Sequence, residues 1–197
     1  MIVIWLIRGI IMRCKYLIIL GFLLVAGCTI APKRTPPPQA TPTDQSWQAQ
    51  GRLAATQGNK GGNASFTWQQ KGNSYLVRLF GPFGSGSVVI KNYPAYIELK
   101  EANGKITRAQ TPEQLMQKIA GWQVPLNGLQ YWLKATPLPS QHHVQELDNQ
   151  GRLRYLAQDG WKIFYEHYHE NPLLPSKLRL ENKNIKIKIV ITSWTTQ

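Results

Sequence analysis

The feature that most restricts how this chain can fold is a period-two alternation of apolar and polar residues. It is clearest in Ile185–Ile191, where isoleucine occupies every second position, and it returns in Ala64–Trp68, Tyr75–Leu79 and Lys177–Glu181. Strands with this pattern have one apolar and one solvated face, as in antiparallel sheets. We therefore expect about ten strands at hairpin spacing. The turn residues that separate them are Gly61–Asn63, Gly72–Ser74, Asn103-Gly104, Asn149–Gly151 and Asp159-Gly160.

One region between the strands has helical periodicity instead. Thr111 and Pro112 are a typical N-cap and first helical residue. A second helix is predicted over Leu126–Lys134, ended by Pro137 and Pro139. The order of strands, helices and strands predicts a mainly β (α+β) domain, in which one strongly curved antiparallel sheet has the helices over its mouth or concave face. The apolar residues at helical spacing are Leu115, Ile119 and Trp122 in the first helix, and Leu126, Leu129, Trp132 and Leu133 in the second.

The first 27 residues resemble an export signal. Three basic residues and no acidic one precede the apolar run Tyr16–Ala26, whose 11 residues are too few for a membrane-spanning helix of about 20. Val25–Cys28 resembles the bacterial lipobox, in which the cysteine accepts a diacylglyceryl group and becomes the first mature residue, here Cys28. Met1 and Met12 are alternative starts. A signal peptide with a chance cysteine is the competing interpretation.

We expect the mature chain to consist of a tether and one domain. Cleavage leaves 170 of the 197 residues, enough for one hydrophobic core. Residues 28–45 are the lipidated N-terminus and a proline-rich tether, which extends by about 3.1 Å per residue and lets residues 46–197 stand away from a membrane. Because Cys14 lies in the signal, Cys28 is the only mature cysteine, and no internal disulfide is expected.

The charge of the mature chain predicts anionic partners. The signal contains three of the 23 basic residues and none of the 10 acidic ones, so a net charge of +10 remains after cleavage. A surface of that sign suits phospholipid headgroups or acidic proteins, whereas export argues against nucleic acid. Solubility alone is the competing explanation of this charge.

The sequence contains no convincing catalytic pattern. Its acidic residues form no close pair, Gly84–Ser87 lacks the spacing of a nucleophile elbow, and no phosphate-binding loop is present. His167 and His169 can share a strand face and are metal candidates, but no cysteine or assignable carboxylate accompanies them. We therefore expect no enzyme activity, no metal and no cofactor. A membrane-anchored hydrolase and a lipoprotein binding module of another kind, such as an envelope assembly factor, stay open as rivals.

Aromatic residues support a more specific hypothesis. Six tryptophans lie in the predicted domain. They suit either an ordinary core or a binding cavity for an extended apolar ligand. Phe83, between Pro82 and Gly84, lies between two predicted strands, where it can fold back onto the core or insert into a membrane. Burial of a phenylalanine in a membrane is favourable by about 1.5–3 kcal/mol.

Several short motifs make the chain resemble the outer-membrane lipoprotein receptor family LolB. Together they cover nearly the whole mature domain, and their order and spacing are more specific than any one of them. The motifs are the lipobox ending at Cys28, Phe66–Gln70, Leu79–Gly84, Gly121–Leu126, Leu129–Leu133, Gly160–Tyr165, Leu174-Pro175, Ile187–Ile189 and Trp194.

The resemblance implies a fold and a function. The fold is an incomplete antiparallel β-barrel with a helical lid over a hydrophobic cavity. The function is that of a receptor, lipid-anchored to the periplasmic face of the outer membrane, which takes lipoproteins from a periplasmic LolA-type carrier and inserts them into the membrane. Thr29, which is not an aspartate, implies sorting to the outer membrane. The expected partners are the carrier, acylated lipoprotein cargo and outer-membrane phospholipid, and the receptor is expected to be a monomer.

The resemblance also implies two sites. Gly81, Pro82, Phe83 and Gly84 form the expected membrane-insertion loop, in which the family more usually has leucine at the position of Phe83. The acyl chains of the cargo are expected to enter an apolar cavity. The candidate residues that line this cavity are Phe66, Trp68, Val77, Leu79, Trp122, Leu129, Trp132 and Leu133.

Overall fold

A computed structural model describes residues 46–81, 86–120 and 125–196 of the chain. The predicted signal, Cys28 and the tether lie outside the described residues. Two helices are described, α1 (Pro112–Ala120) and α2 (Leu126–Trp132). The strands are β1 (Trp47–Gln57), β2 (Lys60–Lys71), β3 (Ser74–Phe80), β4 (Ser87–Asn92), β5 (Ile97–Glu101), β6 (Ile106–Ala109), β7 (His143–Leu147), β8 (Leu153–Gln158), β9 (Trp161–Tyr168), β10 (Pro175–Asn182) and β11 (Ile185–Thr196).

The strands form one antiparallel sheet in the order β6-β5-β4-β3-β2-β1-β11-β10-β9-β8-β7. Eleven strands are described, one more than the turn spacing predicts. Every neighbour is a hairpin partner except β1 and β11, which pair over their full length, from Trp47 opposite Thr196 to Gln57 opposite Ile185. The sheet is not closed, because β6 and β7 are its edges. The predicted fold class, an incomplete antiparallel barrel with helices, is confirmed.

The predicted alternation determines which face of each strand is buried. In β11, Ile185, Ile187, Ile189 and Ile191 are buried and the residues between them are exposed. The same alternation holds in β2, in which Phe66 is buried between polar neighbours. One face of the sheet is therefore apolar along most of its width, as period-two sequences require.

Four of the five predicted turns are confirmed, and one is wrong. Gly61–Asn63 belongs to β2, and the β1–β2 turn is the two-residue segment Gly58-Asn59, with Gln57 paired to Lys60. Gly58 has a φ of 55°, a backbone conformation that glycine adopts without the steric penalty of a Cβ atom. A run of turn-forming residues thus located this hairpin only to within a few positions.

Both predicted helices are present, with one corrected boundary. α1 begins as predicted, because the Thr111 Oγ1 accepts a hydrogen bond of 3.2 Å from the Gln114 N–H. α2 ends at Trp132 and not at Lys134 as the prolines predicted. The reason is a turn in which the Thr136 N–H donates to the Tyr131 carbonyl at 3.2 Å and the Ala135 φ is 54°, which stops the helix before the prolines are reached.

The helices cover the apolar face of the sheet. Leu115 of α1 and Leu126, Leu129 and Trp132 of α2 are buried in the same cluster as the inward residues of the strands. Ile119, predicted at the same helical spacing as Leu115, is exposed. Within residues 46–81, 86–120 and 125–196, no helix combines the length and apolar character needed to cross a membrane.

Contacts from α2 require the sheet to be strongly curved. Gln130 of α2 bonds to Gln70 of β2, and Trp132 bonds to Gln158 of β8. Those two strands are five positions apart in the sheet, which is about 24 Å if the sheet were flat. The Cα atoms of Gln130 and Trp132 are separated by a rise of only about 3 Å along the helix axis. The sheet must therefore bend around α2.

Candidate functional site

Six of the eight predicted cavity residues lie in one buried cluster, to which both the sheet and α2 contribute. Leu79 is half-buried and packs against the cluster. Trp122 lies outside the described residues. The six buried residues are Phe66, Trp68, Val77, Leu129, Trp132 and Leu133.

The predicted insertion loop is described only at its base. The Gly81 N–H donates to the Gly86 carbonyl at 3.2 Å, which closes the β3–β4 hairpin. Pro82, Phe83 and Gly84 lie outside the described residues, and their proposed role stays a prediction. Phe80, the residue before this base, is 37% exposed and lies on the outer face of the sheet.

Gln158, a buried residue of β8, ties the C-terminal end of α2 to the sheet. Its Oε1 accepts hydrogen bonds from the Trp132 Nε1–H at 3.0 Å and the Leu138 N–H at 2.7 Å. Its Nε2 donates to the Leu138 carbonyl at 2.9 Å and to the Gln141 carbonyl at 3.3 Å. A single amide thus satisfies an indole and the backbone of the segment that follows α2.

Tyr165 of β9 adds a second contact at the same end of α2. Its hydroxyl donates to the Trp132 carbonyl at 3.0 Å. Burial raises the pKa of Tyr165 well above its ordinary value, so this hydroxyl remains a donor at any physiological pH.

Gln70, a buried residue of β2, contacts α2 from the opposite side. Its Oε1 accepts from the Trp68 Nε1–H at 2.8 Å, and its Nε2 donates to the Gln130 Oε1 at 3.0 Å and to the Gly72 carbonyl at 2.7 Å. Sequence reasoning missed both glutamines. The available signal was their place at inward positions, because Gln70 continues the alternation of Phe66 and Trp68.

The indoles form two groups on the inner face. Trp47 stacks on Trp68 with ring centroids 6.0 Å apart and meets Trp194 at 5.4 Å. Trp132 of α2 and Trp161 of β9 form the second group, with ring centroids 6.4 Å apart. Large aromatic surfaces of this kind suit a flexible apolar ligand as well as a core.

Two cavities open at opposite ends of β1. The first, about 350 Å³, lies where the start of α1 meets the end of β1 and the β10–β11 turn, and Glu113, Pro125, Trp161 and Ile185 are among its lining residues. The second, about 270 Å³, lies at the start of β1 and is lined by Ser46, Trp47, Gln48, Gln69, Gln70, Lys71 and Thr195. Both have polar rims next to the apolar cluster.

The outer face carries a row of basic and apolar side chains. Strand pairing aligns Phe80, Ser65, Arg52, Val190 and Lys177 across β3, β2, β1, β11 and β10. Phe80 and Val190 are exposed large hydrophobic residues. We call this set the outer row. It places Val190 between Arg52 and Lys177, and Phe80 at its other end directly precedes the base of the predicted insertion loop.

The two histidines considered as metal ligands, His167 and His169, lie at the end of β9 and just after it. His167 is exposed on β9, and the His169 Nε2 lies 3.0 Å from the Ile191 carbonyl oxygen. Among the described residues, no group of three histidine, cysteine, aspartate or glutamate side chains is placed to hold a metal ion.

A curved, open antiparallel sheet, with an apolar inner face under a helix that is bonded to both sides of the curve, defines the class: a small β-domain with a helix-covered apolar interior. The family model described as "Outer membrane lipoprotein LolB" matches residues 45–194. The chain belongs to the LolB family, whose members are lipoprotein-trafficking proteins of the outer membrane and not enzymes.

Two relatives in sequence agree with this assignment. An "Outer-membrane lipoprotein LolB" from Francisella tularensis subsp. tularensis (strain WY96-3418) is 35% identical over 153 residues, which cover 76% of this chain and 74% of the relative. The protein of the same name from Nitrosococcus oceani is 32% identical over 193 residues, 90% of this chain and 95% of the relative. Among solved structures, a LolA superfamily protein from Nitrosomonas europaea aligns with a TM-score of 0.48 at 11% identity, over 79% of this chain and 87% of that chain.

Proposed function

We propose that the chain is an outer-membrane-anchored receptor, which accepts lipoproteins from a periplasmic LolA-type carrier by binding their acyl chains and then inserts them into the outer membrane. The observation that carries the proposal is the apolar inner face of a curved sheet, covered by two short helices, in a chain of the LolB family. A surface of this kind can exchange contacts with its own helix for contacts with fatty chains.

The energetics of the cargo make such a shelter necessary. A lipoprotein with three acyl chains carries roughly 45 methylenes, and exposure to water costs about 0.8 kcal/mol per methylene, on the order of 30 kcal/mol in all. Free diffusion through the periplasm is therefore excluded. Transfer from one apolar surface to another needs no nucleotide if the affinity rises from carrier to receptor to membrane.

Displacement of α2 is the proposed route into the interior. The helix has only seven residues, and its polar contacts with the sheet are concentrated at Gln70, Gln158 and Tyr165. If these hydrogen bonds open, the acyl chains can pack against the residues that α2 now covers. The proposed lining is the set predicted from the sequence: Phe66, Trp68, Val77, Leu79, Trp122, Leu129, Trp132 and Leu133.

Membrane contact is proposed to occur through three features. Cys28 carries the lipid anchor, and residues 28–45 link it to the domain. Phe83 in the loop Gly81–Gly84 inserts into the bilayer, and the outer row of Phe80, Ser65, Arg52, Val190 and Lys177 lies next to that loop. A row that combines apolar and cationic side chains suits an anionic membrane surface. The receptor acts as a monomer in this scheme.

Transfer of cargo tests the proposal directly. The full chain in liposomes is mixed with a purified carrier–lipoprotein complex, and the cargo that moves to the liposomes is measured. We expect transfer by the wild type and by Leu147→Asp, which changes an exposed residue, and loss of transfer by Leu129→Asp, which places a charge in the cluster. Absence of transfer by the folded wild type contradicts the proposal.

A reversible lock avoids the risk that Leu129→Asp fails to fold. Gln70→Cys and Gln130→Cys, joined by a cleavable thiol-reactive linker, hold α2 on β2 in a native chain. Transfer should stop when the linker is present and return when it is cleaved. Phe83→Glu addresses the loop separately: uptake from the carrier should persist, whereas insertion into the bilayer should fall. Full insertion by the folded Phe83→Glu chain rules out the loop role.

A further inference from the structure

Two buried hydrogen-bonding groups on the inner face have no partner among the described residues. They are the Trp47 Nε1–H and the Tyr75 hydroxyl, and each of the two residues is only 3% exposed. Buried polar groups are nearly always hydrogen-bonded, because leaving one unsatisfied costs more free energy than a made hydrogen bond contributes. Two such groups on one face of the sheet call for an explanation.

Strand register places the two groups in one row with Gln70 between them. Trp47 of β1 pairs with Gln70 of β2, and Gln70 pairs with Tyr75 of β3, so the Cα atoms of Trp47 and Tyr75 are about 10 Å apart. The amide of Gln70 bonds to Trp68, Gly72 and Gln130 and to neither of its row neighbours. The row thus holds two donors that no described residue uses.

The row lies at a boundary between polar and apolar surroundings. On one side is the open cavity of about 270 Å³, lined by Trp47, Gln70 and polar residues. On the other side are Trp68 and Val77 of the buried cluster. An acylated glyceryl group has the same order along its length, with a polar backbone, ester carbonyls and then hydrocarbon.

We propose that the Trp47 Nε1–H and the Tyr75 hydroxyl form a subsite for the ester carbonyls of a diacylglyceryl group. The inference rests on the proposed acyl-binding function and deepens it. An ester carbonyl accepts hydrogen bonds and donates none. A diacylglyceryl group has two ester carbonyls, so it can supply one acceptor to each of the two unpartnered donors. The subsite would fix the depth to which the chains enter, with the esters at the row and the hydrocarbon beyond it.

The surroundings of Tyr75 keep it a donor. Burial, followed by the nearby charge of Glu113, raises the pKa of the Tyr75 hydroxyl well above its ordinary value. The group is therefore protonated throughout the physiological range. The contribution of Tyr75 to ligand affinity should therefore change little with pH in that range. It should be present only when the ligand has a carbonyl group.

Matched ester and ether ligands test the subsite. The full chain in dodecyl maltoside, a detergent without carbonyls, is titrated with an S-dipalmitoylglyceryl-cysteine peptide and with its dihexadecyl ether counterpart. We expect the wild type to bind the ester about tenfold more tightly, the effect of one or two hydrogen bonds. Tyr75→Phe and Trp47→Phe should each reduce this ester preference and leave binding of the ether nearly unchanged.

Two further measurements separate this role from a structural one. A ¹³C-carbonyl label on the ester should show an infrared band at lower frequency in the wild type than in Tyr75→Phe, because a hydrogen bond weakens the C=O bond. The unliganded Tyr75→Phe chain should be as stable as the wild type or more so. Tyr165→Phe is the matched control: its hydroxyl is used by Trp132, so it should lose stability and keep the ester preference.

The outcomes are distinct. Equal wild-type affinity for ester and ether, or a ¹³C band unchanged by Tyr75→Phe, overturns the subsite and leaves acyl binding intact. Binding of neither ligand overturns the proposed function as well. The same pair of measurements with dipalmitoyl phosphatidylethanolamine and its ether analogue identifies the source of the ester. A preference limited to the peptide assigns the subsite to lipoprotein, and a preference for both esters assigns it to any diacylglyceryl group.

Discussion

Single amides carry much of the polar contact between α2 and the sheet. Gln158 bonds to the indole N–H of Trp132 and to both backbone groups of Leu138. Gln70 donates a hydrogen bond to the side chain of Gln130 on α2. A buried amide is favourable only while its partners are in place, because each lost bond leaves a desolvated group behind. Displacement of α2 from the sheet therefore costs free energy at these same residues, which hold the helix in place.

Gln158→Leu tests this at the residue scale. Leucine fills a similar volume but leaves the Trp132 indole N–H and the Leu138 N–H and carbonyl without their hydrogen-bond partner. We therefore expect the free energy of unfolding to fall by about 3 kcal/mol. Urea denaturation with an unchanged m-value measures it. Gln145→Leu, at an exposed position of β7, is the control and should change stability by less than about 0.5 kcal/mol. Equal effects of the two substitutions would refute the assignment.

Glu166 gives a prediction about pH. Hydrogen bonding to Lys177, with further contributions from the charge of Lys177 and from Arg179, holds the pKa of Glu166 below its ordinary value. A depressed carboxyl pKa adds stability above the ordinary glutamate pKa, and that stability is lost as the pH falls through the folded-state pKa.

The matching variant is Glu166→Gln. The residue is partly exposed, so we expect it to be less stable than the wild type by at most about 1 kcal/mol at pH 7. The difference should shrink toward zero as the pH is lowered to about 3. Unfolding curves at several pH values measure both effects, and exposed Glu170→Gln serves as the control. A difference that grows on acidification would have the wrong sign.

At the scale of elements, α2 is short and depends on tertiary contacts. Seven residues are too few for a stable isolated helix, so its conformation is maintained by packing. Gly128 is the point of closest approach within it. A Cβ atom at this position would lie 2.7 Å from the Trp132 Cη2, and Trp132 is fully buried and hydrogen-bonded to Gln158.

Gly128→Ala sets two effects against each other. Alanine raises helix propensity by about 1 kcal/mol, but the clash forces the Trp132 indole out of a closely packed position at a cost of about 1–3 kcal/mol. We expect a net loss of stability of about 1 kcal/mol, measured by thermal and urea unfolding. Asn127→Ala, an exposed position in the same helix, should be nearly neutral. A more stable Gly128→Ala chain would mean that the indole has room to move.

At the scale of the whole domain, the curved sheet separates two kinds of surface. The inner face is apolar and covered, and the outer face combines Arg52 and Lys188 with exposed Phe80 and Val190. A domain tethered to a membrane can thus present cations to anionic headgroups and keep its apolar interior for cargo. Basic residues near an anionic surface contribute about 1 kcal/mol each.

The combined change Arg52→Glu and Lys188→Glu tests the outer face. The full chain is placed in vesicles with and without phosphatidylglycerol, and energy transfer from a dye at Asn149→Cys to a labelled lipid reports how closely the domain approaches the bilayer. We expect the phosphatidylglycerol-dependent approach to disappear in the variant and, for the wild type, in high salt. Lys118→Glu on α1 with Lys183→Glu in the β10–β11 turn makes the same change in charge away from the outer face and should retain this approach. If both variants lose this approach to the bilayer equally, net charge explains the effect and the outer face has no special role.

The local parts of this fold were predictable from the sequence. Alternation in Ile185–Ile191 and in Tyr75–Leu79 determines which side chains face inward, because strand periodicity is a property of neighbouring residues. Thr111 and Pro112 defined the start of α1 for the same reason. The motifs that indicated the LolB family are likewise patterns along the chain, and the family assignment is confirmed.

Only the tertiary structure decided which of these local elements meet. The pairing of Trp47 with Thr196 and the bend that brings Gln70 and Gln158 to one helix join residues far apart in the chain, and strand register sets the row of Trp47, Gln70 and Tyr75. Such contacts depend on register and curvature summed over eleven strands, and no short segment encodes them. The two unpaired donors, on Trp47 and Tyr75, could be identified only from the tertiary structure, because a missing hydrogen bond is a property of the packed molecule.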